Sequence, residues 1–212
     1  METISLKTID GVNLSGLLWD RGAIKSVLLL HAMPVTKESW EAFAEELYTK
    51  GLNVLAIDFR GHGESEGGDY KKFKNEDHQK YFLDSRAGFN YLEERYGHPN
   101  FLVGGASIGA NIALQCMAHD VHIKKGLILS AGLDYHGVKA LNFVENLTED
   151  QNILFAAAKD DMRTSQAADM AFELYNSTSC ERQKVILEYG GHGTEMLDTD
   201  ADFFAKAADF LT

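Results

Sequence analysis

The sequence predicts an α/β fold with a mostly parallel central sheet, helices on both of its faces and an antiparallel hairpin at the N-terminal end. Three observations predict it. From residue 26 onward, short apolar runs alternate with helical apolar patterns, which calls for parallel strands joined by crossover helices. Before them, Thr3 to Ile9 and Val12 to Trp19 are strand-like runs separated by Asp10-Gly11, a two-residue turn signal. The third observation is the stretch from Phe101 to Leu114, where an apolar run passes through a cluster of small residues directly into a helical pattern.

After the hairpin, Ser26 to His31 is a continuous apolar run, the kind of strand buried on both faces. Lys37 to Lys50 places Trp40, Phe43, Leu47 and Tyr48 on one helical face, and Gly51 caps it. Leu52 to Ile57 is the next buried strand and ends in the loop Asp58 to Ser65. Glu66 to Gln79 is polar, carries paired glycines and reads as surface loop. Tyr81 to Arg95 is helical and is stopped by Gly97-His98-Pro99.

Phe101 to Val103 is a strand, Asn111 to Ala118 a helix and Ile123 to Ser130 a strand. Ala131 to Asp150 is loop-rich, with a short helix near Val138 to Glu145, and is too short for a cap domain. Asn152 to Ala158 reads as strand, Ser165 to Tyr175 as helix, Gln183 to Glu188 as strand and Leu197 to Leu211 as a closing helix. No linker or repeat interrupts the pattern, so residues 1–212 are expected to form one domain without a separate cap.

Gly105-Ala106-Ser107-Ile108-Gly109 is a candidate nucleophile elbow. A serine on a sharp strand-to-helix turn needs neighbours with almost no side chain, because strand and helix must approach closely there. The turn also leaves the Ile108 amide at a helix N-terminus, where developing negative charge is favoured. Serine is a poor nucleophile at neutral pH and needs a base, which in turn needs an orienting carboxylate. His192 follows a predicted strand, and its glycine flanks 190, 191 and 193 leave it the bulky side chain of its loop. Asp160 and Asp161 follow the preceding strand and compete for the carboxylate role. The second oxyanion donor is expected after the strand 26–31, from the Met33 amide, with Ala32 as the alternative, since Pro34 has no amide hydrogen.

Other polar residues in the same loops have simpler readings. His31 is expected to turn its loop by bonding to backbone, and His62 and Ser65 to shape the 58–65 loop. His119 and His122 lack further ligands nearby, so no metal is expected. Phosphate-loop and dinucleotide motifs are absent, and no cofactor is expected. A net charge of −12 without a dense basic cluster argues against nucleic-acid and anionic-membrane partners. Cys116 and Cys180 lack metal or disulfide-framework spacing, and no apolar run is long enough to span a bilayer. A cytoplasmic location is the expectation from these features and from an N-terminus without a signal-peptide pattern.

Residues 28–34 (Leu-Leu-Leu-His-Ala-Met-Pro), 58–65 (Asp-Phe-Arg-Gly-His-Gly-Glu-Ser), 105–109, 157–164 (Ala-Ala-Lys-Asp-Asp-Met-Arg-Thr) and 190–194 (Gly-Gly-His-Gly-Thr) together resemble the α/β-hydrolase superfamily. The nearest resemblance is to its small, capless esterase-like, dienelactone-hydrolase-like and serine-aminopeptidase-like members. It implies the α/β-hydrolase fold and a triad in the chain order Ser107, Asp161, His192. Asp161 is preferred to Asp160 because the family places a Ser or Thr three residues after the acid, as Thr164 stands here. Ala32 departs from the glycine that many relatives carry. The expected activity is that of a serine hydrolase on a small-molecule carboxylic ester, through an acyl-enzyme and an oxyanion hole of the Met33 and Ile108 amides. Thioesterase or peptidase-like amidase chemistry on the same triad is an alternative, as is a ligand-binding homologue without turnover.

Overall fold

The computed structural model describes residues 1–97, 100–164 and 166–212. Eight strands form one sheet in the order β1-β2-β4-β3-β5-β6-β9-β10. In chain order they are β1 (Glu2–Lys7), β2 (Asn13–Trp19), β3 (Ser26–Leu30), β4 (Asn53–Ile57), β5 (Phe101–Ala106), β6 (Ile123–Leu129), β9 (Asn152–Ala158) and β10 (Glu181–Leu187), while β7 (Asp134–Tyr135) and β8 (Val138–Lys139) make a separate small hairpin. The pairs β1·β2 and β2·β4 are antiparallel. The remaining pairs of the large sheet are parallel, as the alternating pattern predicted.

The helices are α1 (Glu41–Thr49), α2 (Asn75–Gln79), α3 (Tyr81–Tyr96), α4 (Ile108–His119), α5 (Ala140–Val144), α6 (Ala167–Ser177), α7 (Glu195–Thr199) and α8 (Ala201–Leu211). Side chains alternate across the pleat of each strand, so the sheet carries a separate core on each face. Leu28 and Leu30 of β3 join Phe89 and Leu92 of α3 and Ile112 and Met117 of α4 on one face. Val27 and Leu29 join Phe43 and Leu47 of α1 and Phe203 and Ala207 of α8 on the other. Residues 27–30 are accordingly buried without exception, which explains why the run is apolar with no alternation.

Several local expectations are corrected. The β1–β2 connection is a five-residue loop, 8–12, because Lys7 pairs with Asn13. Within it the Thr8 N–H donates to Val12 O at 2.9 Å and the Gly11 N–H to Thr8 O at 3.0 Å, while the Arg60 guanidinium donates to the Asp10 oxygens at 2.7 and 2.9 Å. The first helix opens with a 3-10 turn over Lys37–Trp40. Residues 66–79 include a 3-10 turn, Tyr70–Lys72, as well as α2, both too short to show a periodic apolar face. The helix expected at Val138 to Glu145 begins as strand: β8 takes its first two residues and α5 the next five. The closing helix is split into α7 and α8 at Asp200, whose carboxylate caps α8 by accepting from the Phe203 N–H at 2.8 Å. His98 and Pro99, expected to stop α3, and Ser165, expected to open α6, lie outside the described residues.

Chain order reverses at β3: the chain goes from β3 outward to β4, then returns across it to β5. In an open α/β sheet the crevice at such a switch, at the carboxyl ends of the strands, is where ligands bind. The loop after β3 and the junction of β5 with α4 flank that crevice.

The packing at the junction is close enough to test. A Cβ at Gly105 would lie 2.2 Å from Gly109 O, and one at Gly109 would lie 2.4 Å from Leu30 O. Both obstacles are backbone, which cannot rotate away. Gly109→Ala is therefore expected to destabilise the fold by about 3 kcal/mol or more, lowering Tm by roughly 6–12 °C. Differential scanning calorimetry of wild type and variant reads this, and an unchanged Tm would contradict the close approach.

Candidate active site

Ser107 stands between β5 and α4 with φ 56° and ψ −121°, a conformation that a residue with a side chain adopts at a cost. The surrounding structure imposes it. The Ser107 N–H donates to Leu129 O of β6 at 2.8 Å, and its carbonyl accepts from the Ala110 N–H at 2.9 Å. The result is a serine raised at the N-terminus of a twelve-residue helix.

His192 reaches this end of the sheet from the loop after β10. Its Nδ1 lies 2.7 Å from Asp161 Oδ2 and donates to it, which leaves Nε2 as the acceptor. Asp161 Oδ1 accepts from the Arg163 and Thr164 N–H groups at 2.9 and 3.0 Å, so both carboxylate oxygens are engaged. Burial alone pushes the Asp161 carboxyl up, but the hydrogen bonds from His192 and the two amides bring it below the ordinary carboxylate value. Asp160 points elsewhere: its Oδ1 accepts from the Gly190 and Gly191 N–H groups at 2.9 and 3.0 Å and shapes the histidine loop. Thus Asp161 contacts the imidazole, and Asp160 contacts the backbone that carries it.

The same loop is tied down on its other side. The His192 N–H donates to Glu195 Oε2 at 2.8 Å, and the Gly193 N–H donates to Ser130 Oγ at 3.0 Å. Ser107, Ile108, His192 and Met33 line one cavity of about 160 Å³. Larger hollows near Trp19 and Glu45, about 590 Å³, and near Lys7 and Arg86, about 450 Å³, contain no serine–histidine pair. The amides of Ile108 and Met33 donate to no carbonyl or side chain among the described residues. The former is one of the free donors that begin any helix.

Three residues not singled out in the sequence, Tyr135, His136 and Arg163, complete the cavity together with Thr164. Tyr135 and His136, from the β7–β8 hairpin, close one side, and Arg163 and Thr164 close another. The Tyr135 hydroxyl shares a hydrogen bond of 2.9 Å with Thr164 Oγ1 and donates toward Ser130 O at 3.3 Å. Burial raises its pKa, so it stays protonated. Asn111, buried in α4 one turn after Ser107, holds this hairpin: its Nδ2 donates to Gly132 O and Val138 O at 2.9 and 2.8 Å, and its Oδ1 accepts from the Gly132 N–H at 3.1 Å. The glycines at 132 and 137 were the available sign of a tight hairpin. They do not say which side chain it presents.

Three other histidines, His31, His119 and His122, have structural surroundings. His31 Nδ1 donates to Ala32 O at 2.8 Å, and its Nε2 accepts from the Phe59 N–H at 3.0 Å, joining the loops after β3 and β4. Ser65 Oγ bridges in a similar way, donating to Asp58 O at 2.8 Å and accepting from the Ser15 N–H at 2.9 Å. His119 and His122 bond locally to Gln115 O and Asp120, and no metal-binding group occurs among the described residues. No helix of the described residues is long and apolar enough to cross a membrane.

Sheet order, elbow and crevice define an α/β hydrolase. The family model described as serine aminopeptidase S33 matches residues 22–149, more than half of the chain, and the protein belongs to that family. The match includes the elbow and stops before Asp161 and His192. Two curated relatives, the multifunctional-autoprocessing repeats-in-toxin proteins of Vibrio cholerae and Vibrio vulnificus, are 35% identical over 92 residues, 42% of this chain. The chain matches only 2% of the length of those toxins. Among solved structures, the esterase Pf2001 of Pyrococcus furiosus is similar with a TM-score of 0.83 at 22% identity, covering 99% of this chain and 91% of its own. The esterase EaEST of Exiguobacterium antarcticum gives 0.78 at 14%, covering 99% of each chain. Est1E of Butyrivibrio proteoclasticus, with ferulic acid bound, gives 0.78 at 17%, covering 97% of this chain and 96% of its own. At such identities the likeness shows the fold.

The buried histidines tie stability to pH. Burial, with a contribution from His62, pushes the His31 pKa down to about 3, and burial with the neighbouring His136 takes His78 to about 4. Unfolded, both titrate near the ordinary imidazole value of about 6.5. Their folded pKa values are depressed, so the stability linked to the neutral rings is complete above about pH 6.5 and is lost as pH falls toward 4 and below. Urea unfolding is expected to show at least about 2 kcal/mol lost between pH 7.5 and 5. A flat profile over that interval would contradict the burial of His31.

Proposed function

We propose that this hydrolase cleaves carboxylic esters through a serine nucleophile, with residues 1–212 acting as one domain without a separate cap. The observation that carries the reading is the 2.7 Å contact of His192 Nδ1 with Asp161, on an imidazole that lines the same cavity as Ser107. In this reading Ser107 Oγ attacks the acyl carbon while His192 Nε2 takes its proton. The oxyanion that forms is held by the Ile108 and Met33 amides, each worth a few kcal/mol to the transition state.

Collapse of the tetrahedral intermediate breaks the ester bond, and His192 returns the proton to the departing alcohol. Water, deprotonated by the same nitrogen, then attacks the acyl-enzyme and releases the acid, with the proton restored to Ser107. Asp161 keeps the imidazole in the required tautomer and stabilises its charged form. The chemistry as written needs no metal or cofactor. A cavity of about 160 Å³ suits short acyl groups. The description of the matched family favours amide cleavage as the second reading, with the same nucleophile and base.

The test is turnover of p-nitrophenyl acetate, butyrate and octanoate, with an amino-acid p-nitroanilide for the amide reading. Short esters are expected to be hydrolysed fastest, and Ser107→Ala is expected to fall to background. Asp161→Asn should reduce kcat about a thousandfold or more, since it spoils the tautomer, whereas Asp160→Asn should cost less than about tenfold. Greater damage from Asp160→Asn would reassign the acid. Turnover surviving in Ser107→Ala would remove the nucleophile.

A further inference from the structure

The cavity next to Ser107 has an uneven charge distribution. The chain carries a net charge of −12, yet among the described residues the cavity wall includes no carboxylate and one permanent cation, Arg163. The backbone fixes the base of that side chain beside the site, because the Arg163 N–H donates to Asp161 Oδ1 at 2.9 Å. Its guanidinium is weakly used. Nη2 lies 3.4 Å from Glu195 Oε1, Nη1 lies 3.4 Å from Met33 O, and Nε has no partner among the described residues.

Glu195 does not explain this arginine. Its other oxygen is committed to the His192 N–H at 2.8 Å, so it is anchored to the histidine loop and cannot follow the guanidinium. The Arg163–Glu195 contact is also half-exposed at 45% and 50%, and pairs of that kind stabilise little, so Arg163 loses little by releasing it. A guanidinium presents a planar fork matched to a carboxylate, and two parallel charge-assisted hydrogen bonds to one ligand group would replace two long single ones.

We propose that Arg163 selects the substrate, and that the preferred esters are short and carry a free carboxylate a few atoms from the scissile carbonyl. The proposal rests on the ester-hydrolase reading of the same site and adds the charge of its substrate. The carboxylate belongs to the acyl chain or to the leaving group, and the shared chemistry is a monoanion set against the guanidinium. Neutral esters of the same length fill the cavity and leave the cation unpaired.

Two matched pairs of esters test it. Mono-p-nitrophenyl glutarate against p-nitrophenyl butyrate places the charge on the acyl side, and 4-carboxyphenyl butyrate against phenyl butyrate places it on the leaving group. The readout is the charged-to-neutral ratio of kcat/KM in wild type, Arg163→Gln and Arg163→Lys, so that intrinsic differences in ester reactivity cancel between proteins. At least one pair is expected to show the ratio falling about tenfold or more in Arg163→Gln, through KM of the charged ester, and falling less in Arg163→Lys. The same ratio in wild type should fall as salt is raised.

Equal ratios in wild type and Arg163→Gln for both pairs, or a loss carried entirely by kcat, would overturn the proposal. Should wild type turn over none of the four esters, the hydrolase reading fails separately. Calorimetric titration with monomethyl glutarate then decides the anion site, which requires binding to wild type that weakens at least about tenfold in Arg163→Gln. Equal binding or none would overturn it.

Discussion

Where β5 meets α4, backbone packs against backbone. The positions of Gly105 and Gly109 leave no room for a Cβ, since one would fall 2.2 or 2.4 Å from a carbonyl oxygen of Gly109 or Leu30. That approach forces the intervening Ser107 to φ 56° and aims it away from the sheet at the crevice where strand order reverses. The energetic consequence is local strain, offset by the hydrogen bonds of Ser107 to Leu129 and Ala110 and by the burial of Ile108, Ile112 and Met117 along α4. Strain held in this way fixes the backbone of Ser107.

Around the serine, the loops at the carboxyl ends of the strands are held by buried polar side chains. His31 joins the loops after β3 and β4. Asp58 accepts from the Lys37 N–H and Nζ at 2.8 and 2.7 Å and from the Glu64 N–H at 3.1 Å, in a pair that is almost wholly buried. Such a pair adds little net stability after desolvation, but breaking it would leave a charge in the interior, so the loop has one favoured arrangement. Asn111 does the same for the β7–β8 hairpin, and Asp160, Glu195 and Ser130 for the histidine loop. The geometry of the cavity wall is therefore set by side chains that stand just past the strand ends, on α4 and on α7.

The sheet was legible in the sequence because buried parallel strands and helical faces leave strong periodic signals, as in Ser26–Leu30 and Asn152–Ala158. The elbow was legible for a steric reason, since few residues satisfy that approach. The candidate acid was not separable from its neighbour by pattern: Asp160 and Asp161 are adjacent carboxylates at one strand end, and only the family likeness of Thr164 favoured the second. In the structure the two diverge, one toward imidazole and one toward backbone amides. Elements of two to five residues, such as β7, β8 and α2, escaped because their formation depends on tertiary contacts such as those from Asn111. Tyr135 and Arg163 escaped for the same reason, because a lone tyrosine or arginine in a loop carries no sequence sign of the cavity it borders.

The proposal that this fold activates Ser107 is read by intact-mass spectrometry after exposure to a fluorophosphonate. A single covalent adduct is expected on wild type and none on Ser107→Ala, with unfolding curves showing both proteins folded. Folded wild type that takes up no adduct, or a Ser107→Ala protein that takes up the same one, would contradict the proposal.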